Sequence, residues 1–381
     1  MKQVRLSLSW LLALCLLFCA CSQRQDGTAA DGGDTLQLQY AQLLTIVDYP
    51  DHSLVTIRNP WHEGVLHSYV LEAADSMDAA RREALTRTGA TFVRVPLTRS
   101  AVFTTVHCAL LTELGRRDAI AAVADLQYIK IPWIHDEVRA GRIADCGGGL
   151  SPVVEKIMDV KPDAILLSPF ENSGGYGKVE DLSIPIIECA EYMEPTPLAR
   201  AEWMKLYGRL YGCADVADSL FQVVDSCYGQ LKRRAAELGQ GRRVLMDKLT
   251  GSVWYVPGGK STIGQMIQDA GGRYPWAADE HSGSLSLPFE TVLERAADCD
   301  VWLYRYSAPG RQTLGELSAE HHGYKLLEPF RRGAVYGCNV ERSLFYEEAP
   351  FRPDYLLQDF IGIIHADTLA FPLRYYEPIR P

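Results

Sequence analysis

The chain has 381 residues, 47% hydrophobic and 23% charged, the composition of a soluble globular protein. That length favours two domains, because single cores stop growing near about 250–300 residues. A formal net charge of −10 and the lack of a dense Lys/Arg run exclude a nucleic-acid binder, whose surface must neutralise phosphate.

Residues 1–20 read as a signal peptide: Lys2 and Arg5 precede the apolar run SLSWLLALCLLFCA, too short to span a bilayer comfortably. The run ends at Phe18-Cys19-Ala20-Cys21-Ser22, which resembles a bacterial lipoprotein signal, although Phe18 and Cys19 replace the usual leucine and small residue. Cys21 is the expected lipidation site, with ordinary signal-peptide cleavage as the alternative. Residues 21–35, rich in Gly, Asp, Ala and Gln, form a flexible tether.

Residues 36–90 are predicted to be a β-rich extension, in which LQLQYAQLLTIVDYPD, HSLVTIRNPW and VLHSYVLEA make a β-meander. Residues 91–195 then alternate strand and helix. Strands are expected at 91–97, in IAAVAD, at Ala164–Leu167 and at 184–189, with helices at about 100–114 and before Lys161-Pro162-Asp163. Parallel strands need crossover helices, so this spacing predicts a βαβ sheet and an N-terminal α/β lobe.

Residues 196–240 are a connecting helical segment centred on Ala214–Leu238. Ala217, Leu220, Val224, Cys227, Tyr228, Leu231, Ala235 and Leu238 fall at the spacing that gives a helix one buried stripe. No proline interrupts it, and at roughly 37 Å it would run along a whole lobe. Asp218, Asp225, Lys232 and Arg233 are expected to be solvated. Residues 241–381 restart the alternation as a C-terminal α/β lobe. Its strands are predicted at 243–246, 253–256, 300–304 and 333–336. Helices follow at 261–269 (N-capped by Ser261), at 289–297, from Leu314, and at 354–364. The fold class is therefore α/β: two Rossmann-like lobes, each a mainly parallel sheet with flanking helices, joined by a single long helix, plus the extra N-terminal β-meander.

Ligands of open parallel sheets bind beyond the carboxyl ends of the strands, and for two lobes facing each other that places the expected site in the cleft between them. The expected ligand-binding residues are Arg99, Tyr128, Trp133, Phe170, Tyr176, Trp254, Tyr255, Trp276, Arg305 and Tyr306, about half of which should touch ligand, as rings of this kind suit a bulky molecule with flat or apolar parts. Trp254 and Tyr255 alternate along one strand, so one of them should face the core. Tyr306 is expected to be exposed at a strand end. His135 and His281 suit surface loops as well as metal contacts. The glycine-rich segments 168–178 and Cys146-Gly147-Gly148-Gly149 lack the phosphate-loop and dinucleotide signatures, and the chain has neither G-x-S-x-G nor H-E-x-x-H. Both segments read as neutral ligand loops, and no catalytic residue is assigned. Cys108, Cys146, Cys189, Cys213, Cys227, Cys299 and Cys338 are odd in number and show no tight ligand spacing, so buried thiols are expected, with no resident metal or cofactor.

The segment Val154-Glu155-Lys156-Ile157-Met158-Asp159-Val160-Lys161-Pro162-Asp163 and the apolar strand after it resemble the periplasmic-binding-protein family for iron chelates and cobalamin. In the same order come Ile184-Pro185, Leu206-Tyr207-Gly208, Ala270-Gly271-Gly272-Arg273 and Ser286-Leu287-Pro288-Phe289-Glu290. The resemblance covers roughly residues 91–368. It implies the monomeric, non-enzymatic substrate-binding lipoprotein of an ABC importer, held at a bacterial membrane on the periplasmic side by its lipid. The implied partners are the permease with its ATPase and a bulky metal complex, a ferric siderophore or a corrinoid such as cobalamin. It also implies that Glu155 and Glu290, at the starts of equivalent helices, dock against permease arginines. Two features depart from the family pattern: the meander is extra, and no arginine follows Leu167, which favours a corrinoid or a less anionic complex unless Arg99 or Arg305 substitutes. Haem capture through Tyr or His, and a lipid-anchored hydrolase working in the cleft, are the alternatives.

Overall fold

Leu44, Ile46, Val55 and Ile57 alternate with polar residues, and all four are buried, as a strand with one inward face requires. The computed structural model describes residues 32–73, 77–171, 175–369 and 371–381; the expected signal peptide, the expected lipidation site Cys21 and residues 22–31 of the expected tether lie outside them. Strands Leu44–Asp48, Ser53–Arg58 and Val65–Glu72 pair antiparallel as the predicted meander. Thr91–Arg94 adds to it as a parallel strand beside Val65–Glu72, instead of opening the sheet of the N-terminal lobe. That sheet starts with Ser100–Val102, in a stretch predicted to be helical, and its first helix is Thr105–Glu113. Pro96 cannot donate to a strand ladder, and the chain leaves one sheet for the other around it.

Residues Thr35–Pro381 form one compact unit. Within it the N-terminal lobe has five parallel strands in the order Ile186–Glu188, Ala164–Leu167, Ser100–Val102, Ile120–Val123 and Ala144–Asp145. The C-terminal lobe orders Val244–Met246, Val301–Tyr306 and Val335–Asn339 in parallel, with Tyr376–Pro378 antiparallel at the edge. The predicted strand at 253–256 belongs to neither sheet: Val253–Pro257 sits in a small antiparallel sheet between Leu249–Thr250 and Ser284–Leu287. Gly251, at φ +63, allows the tight turn between Thr250 and Val253.

The connecting helix spans Ala214–Leu238, the predicted bounds, and buries Ala217, Val224, Tyr228 and Ala235 together with Phe221, which the spacing had not included. Gly208 lies so close that a Cβ there would meet the Cβ of Ala217 at 2.5 Å, so the helix Met204–Leu210 packs tightly on it. Asp218 and Asp225 are half-buried where solvation was expected, and Asp225 accepts a 2.7 Å hydrogen bond from the Tyr40 hydroxyl. Lys232 and Arg233 are exposed. The C-terminal helix Pro353–Ile364 packs along the same long helix.

Two buried glutamates, one just before the connecting segment and one within it, fasten the extension. Glu202 accepts from the backbone N–H groups of Gln39, Tyr40 and Ala41 at 2.8–3.0 Å, and Glu194 from those of Gln42 and Leu43 and from Trp203 Nε1. The meander and the N-terminal lobe share one hydrophobic core. Among the described residues no helix is long and apolar enough to cross a membrane.

Candidate functional site

Parallel strands point their carboxyl ends one way, and the segments that follow them in the N-terminal lobe build a cavity of about 670 Å³, lined by that lobe alone and not by both lobes as expected of the cleft. Phe103 follows Ser100–Val102, Phe170 follows Ala164–Leu167, and Leu150 sits at the tip of the small hairpin after Ala144–Asp145. Tyr176, Lys178 and Glu155 complete the parts of the lining used below. Both glycine-rich segments border this cavity, although residues 172–174 lie outside the described residues. At Gly149 a Cβ would stand 2.7 Å from Asp125 Oδ2, the atom that accepts the Gly149 N–H at 3.0 Å, so the hairpin's seat excludes a side chain there.

The Tyr176 hydroxyl donates to Glu188 Oε1 at 2.6 Å. Burial, and then the Glu188 carboxylate, pushes the phenol pKa well up. The other Glu188 oxygen is 3.2 Å from His67 Nδ1 of the meander, which therefore reaches the back of the site.

The remaining predicted contacts are scattered. Phe170 and Tyr128 are exposed on the strand-end side, but Tyr128 does not line the cavity, and neither does Trp133, whose ring lies under the Arg117 guanidinium. Arg99 is at the opposite edge of the sheet: its guanidinium donates to Val160 O, and its backbone pairs with Asp163 at the amino ends of two strands. Starting the lobe at 91–97 had placed Arg99 after the first strand; it precedes the strand that is there. Trp254 is fully buried with Nε1 donating to Met246 O, and Trp276 is 2% exposed, so both are core residues. Tyr255 is exposed, as strand alternation requires once Trp254 points inward. Tyr306 is also buried, where exposure was expected, and its hydroxyl accepts from Gln312 N. Arg305 donates twice to Asp247, at 3.0 and 2.6 Å, and this spends its charge inside the protein. Glu155 and Glu290 are exposed in the first turns of Val154–Val160 and Phe289–Ala296, and neither has an ion-pair partner among the described residues. His135 bonds Ile129 O and His281 bonds Asp279. The cysteines from Cys108 onward are free thiols, buried except for the half-buried Cys227.

Sequence reasoning missed the groups that meet between the lobes. Glu347, on the short helix Phe345–Glu348 after the last parallel strand, accepts from Thr105 Oγ1 and from the Lys130 backbone N–H of the N-terminal lobe at 3.0 and 2.9 Å. Burial raises its carboxyl pKa against the lowering effect of those hydrogen bonds. Phe351 packs edge-on against the His107 and Tyr207 rings. Beneath it the Tyr207 hydroxyl stands 2.6 Å from His107 Nε2 and donates to Glu191 Oε2 at 3.3 Å. These residues lie far apart along the chain, and no local spacing announces them.

Two α/β lobes on one long helix, with a roomy pocket over parallel strand ends, define the class of two-lobed solute-binding proteins. The chain belongs to the periplasmic binding protein family, whose model matches residues 101–340. An uncharacterized lipoprotein of Methanocaldococcus jannaschii is 26% identical over 287 residues, which are 72% of this chain and 67% of that one. A periplasmic heme-binding protein of Pseudomonas aeruginosa superposes with a TM-score of 0.57 at 12% identity, covering 75% of this chain and 99% of its own. The periplasmic vitamin B12-binding protein of Vibrio cholerae gives 0.53 at 15% identity, covering 72% and 99%.

Proposed function

We propose that this protein is the substrate-binding component of an ABC importer, capturing a bulky metal complex of low net charge, a corrinoid or a neutral ferric chelate. It hands the complex to the permease without changing it, and Cys21 carries the lipid that holds it at the outer side of the membrane. The cavity of about 670 Å³ over the N-terminal strand ends carries this reading. Its volume lies in the range of small-molecule sites, and Phe103, Leu150, Phe170 and Tyr176 offer apolar and ring surface. Charge argues against a strongly anionic ligand: Lys178 and Glu155 offset one another in the lining, Arg305 is spent on Asp247, and Arg99 is at the far edge. Iron coordination by a Tyr176 phenolate is disfavoured, since burial and Glu188 hold its proton. The first-turn carboxylates Glu155 and Glu290, without an ion-pair partner among the described residues, suit docking to a basic permease surface, because charge there stabilises the helix and remains open to a partner.

Thermal-shift and calorimetric titrations with cobalamin, cobinamide, haem and ferric hydroxamates test the reading. One-to-one binding of a corrinoid or a hydroxamate without turnover is expected. A folded sample that binds none of them, or that converts one to product, refutes it.

A further inference from the structure

Among the described residues, His107, Cys189 and Glu191 form a cluster of metal-ligating types in which one donor atom of each lies within 4.8 Å of the others. All are buried: His107 and Cys189 are 0% exposed and Glu191 is 1% exposed. Three elements converge to make it. His107 is on the first helix of the N-terminal lobe, Cys189 and Glu191 follow the strand Ile186–Glu188, and Tyr207 stands beside them on Met204–Leu210. Glu191 Oε1 has no hydrogen-bond partner, which in a buried carboxylate leaves an uncompensated acceptor facing the imidazole 3.4 Å away. None of these residues lines the large cavity.

We propose that this cluster is a resident site for a divalent transition-metal ion of the zinc class, bound by His107 Nε2, Cys189 Sγ and a Glu191 carboxylate oxygen. The donor set is one sulfur, one nitrogen and one oxygen, which suits a borderline-soft ion. Bonds of about 2.0–2.3 Å place tetrahedral ligands roughly 3.3–3.8 Å apart, so the widest donor pair needs to close by about 1 Å. Thr104 Oγ1 lies against His107 Nδ1 and can act as the outer partner of a ligating imidazole. On metal binding the ring proton moves from Nε2, which here faces the Tyr207 hydroxyl, to Nδ1, where Thr104 accepts it, and Nε2 gives its lone pair to the ion. The Tyr207 hydroxyl occupies the fourth side. On binding, Cys189 gives up its thiol proton, and the thiolate and the Glu191 carboxylate balance the two charges of the ion. The Arg200 guanidinium, which acts on Glu191 from the neighbouring helix, stays outside the set and favours the ionised form of that carboxylate. The ion would tie the first helix of the lobe to the end of the strand Ile186–Glu188, directly under Phe351, the ring that the other lobe seats there.

The test is independent of the cargo. The full-length chain, without a polyhistidine tag, is produced with Zn(II) and separately with Co(II), and is purified in detergent. About one ion per chain is expected, with a thiolate-to-cobalt absorption band in the near ultraviolet for the cobalt form. C189S should abolish the band, and H107A and E191Q should each reduce bound metal at least about tenfold. E191Q, nearly isosteric, serves if the others fail to fold. A folded wild-type protein without metal, or metal held equally by E191Q and C189S, overturns the proposal whatever the cargo proves to be.

Discussion

Phe170 is 47% exposed in the cavity lining, so its ring contributes little to folding and is free for a ligand. Phe170→Ala should weaken binding by about 1–2 kcal/mol, five- to thirtyfold, while unfolding free energy moves by less than about 0.5 kcal/mol. Calorimetry with whichever metal complex stabilises the wild type, set beside a urea melt, separates the two; unchanged affinity would remove Phe170 from the site. That Phe170 and Tyr176 line the cavity was legible in the sequence because their loop follows an unmistakable buried strand. Trp254, Trp276 and Tyr306 were not, because residue type does not say which face of an element turns inward, and large rings serve cores as well as ligands. Arg99 was misplaced by a strand boundary: shifting the first strand of the lobe from 91–97 to Ser100–Val102 carries the residue from one end of the sheet to the other. The His107–Glu191 cluster is assembled only by tertiary packing and leaves no motif.

At the scale of elements, the long helix was predicted to its termini, since an uninterrupted stripe of 25 residues has one interpretation and Gly239 at φ +78 ends it. The meander was equally readable, but its fourth strand was not, because parallel pairing of Thr91–Arg94 with Val65–Glu72 depends on where the intervening helix Ala79–Arg87 lies. What fastens the meander was also hidden, as five backbone donors converge on two glutamates more than a hundred residues away. Glu202→Ala leaves three of those N–H groups without their acceptor, at a cost of about 2–4 kcal/mol for a charged partner. Hydrogen–deuterium exchange should accelerate at residues 39–41 in that variant, with the strands of the C-terminal lobe unchanged. Protection retained at those amides would show that the shared hydrophobic core holds the extension alone.

At the scale of the whole molecule the lobes meet through a titratable contact. Burial raises the Glu347 pKa above its ordinary 4.5, so between that value and the folded one the native state holds a proton that the unfolded chain has released. Its contribution to stability is therefore complete below pH 4.5 and is lost as pH rises through the folded pKa. Glu347→Gln keeps an acceptor for Thr105 and Lys130 and removes the titration. The stability of E347Q relative to wild type should thus grow as pH is raised from acid towards neutral, measured as urea midpoints across the series. A constant offset would mean that this carboxyl titrates alike in both states.

The same contact bears on how far the lobes move. The covalent bridge from one lobe to the other is the helix Ala214–Leu238, which is gripped on the N-terminal side by Met204–Leu210 and on the C-terminal side by Pro353–Ile364. Opening a wide hinge would bend this helix or strip Phe221, Val224 and Tyr228 out of the packed core, and would also break the Glu347 hydrogen bonds. Each buried ring or branched side chain removed costs about 1.5–3 kcal/mol, more than a loosely held ligand returns. Closure should therefore be a shift of about 1–2 Å, of the kind packed helices allow. Spin labels at exposed Asp118 and Glu294, one on each lobe, report it as the change in their separation when the ligand is added. A displacement several times larger would place the pivot outside the helix and leave it a connector without mechanical consequence, even in a protein of this family.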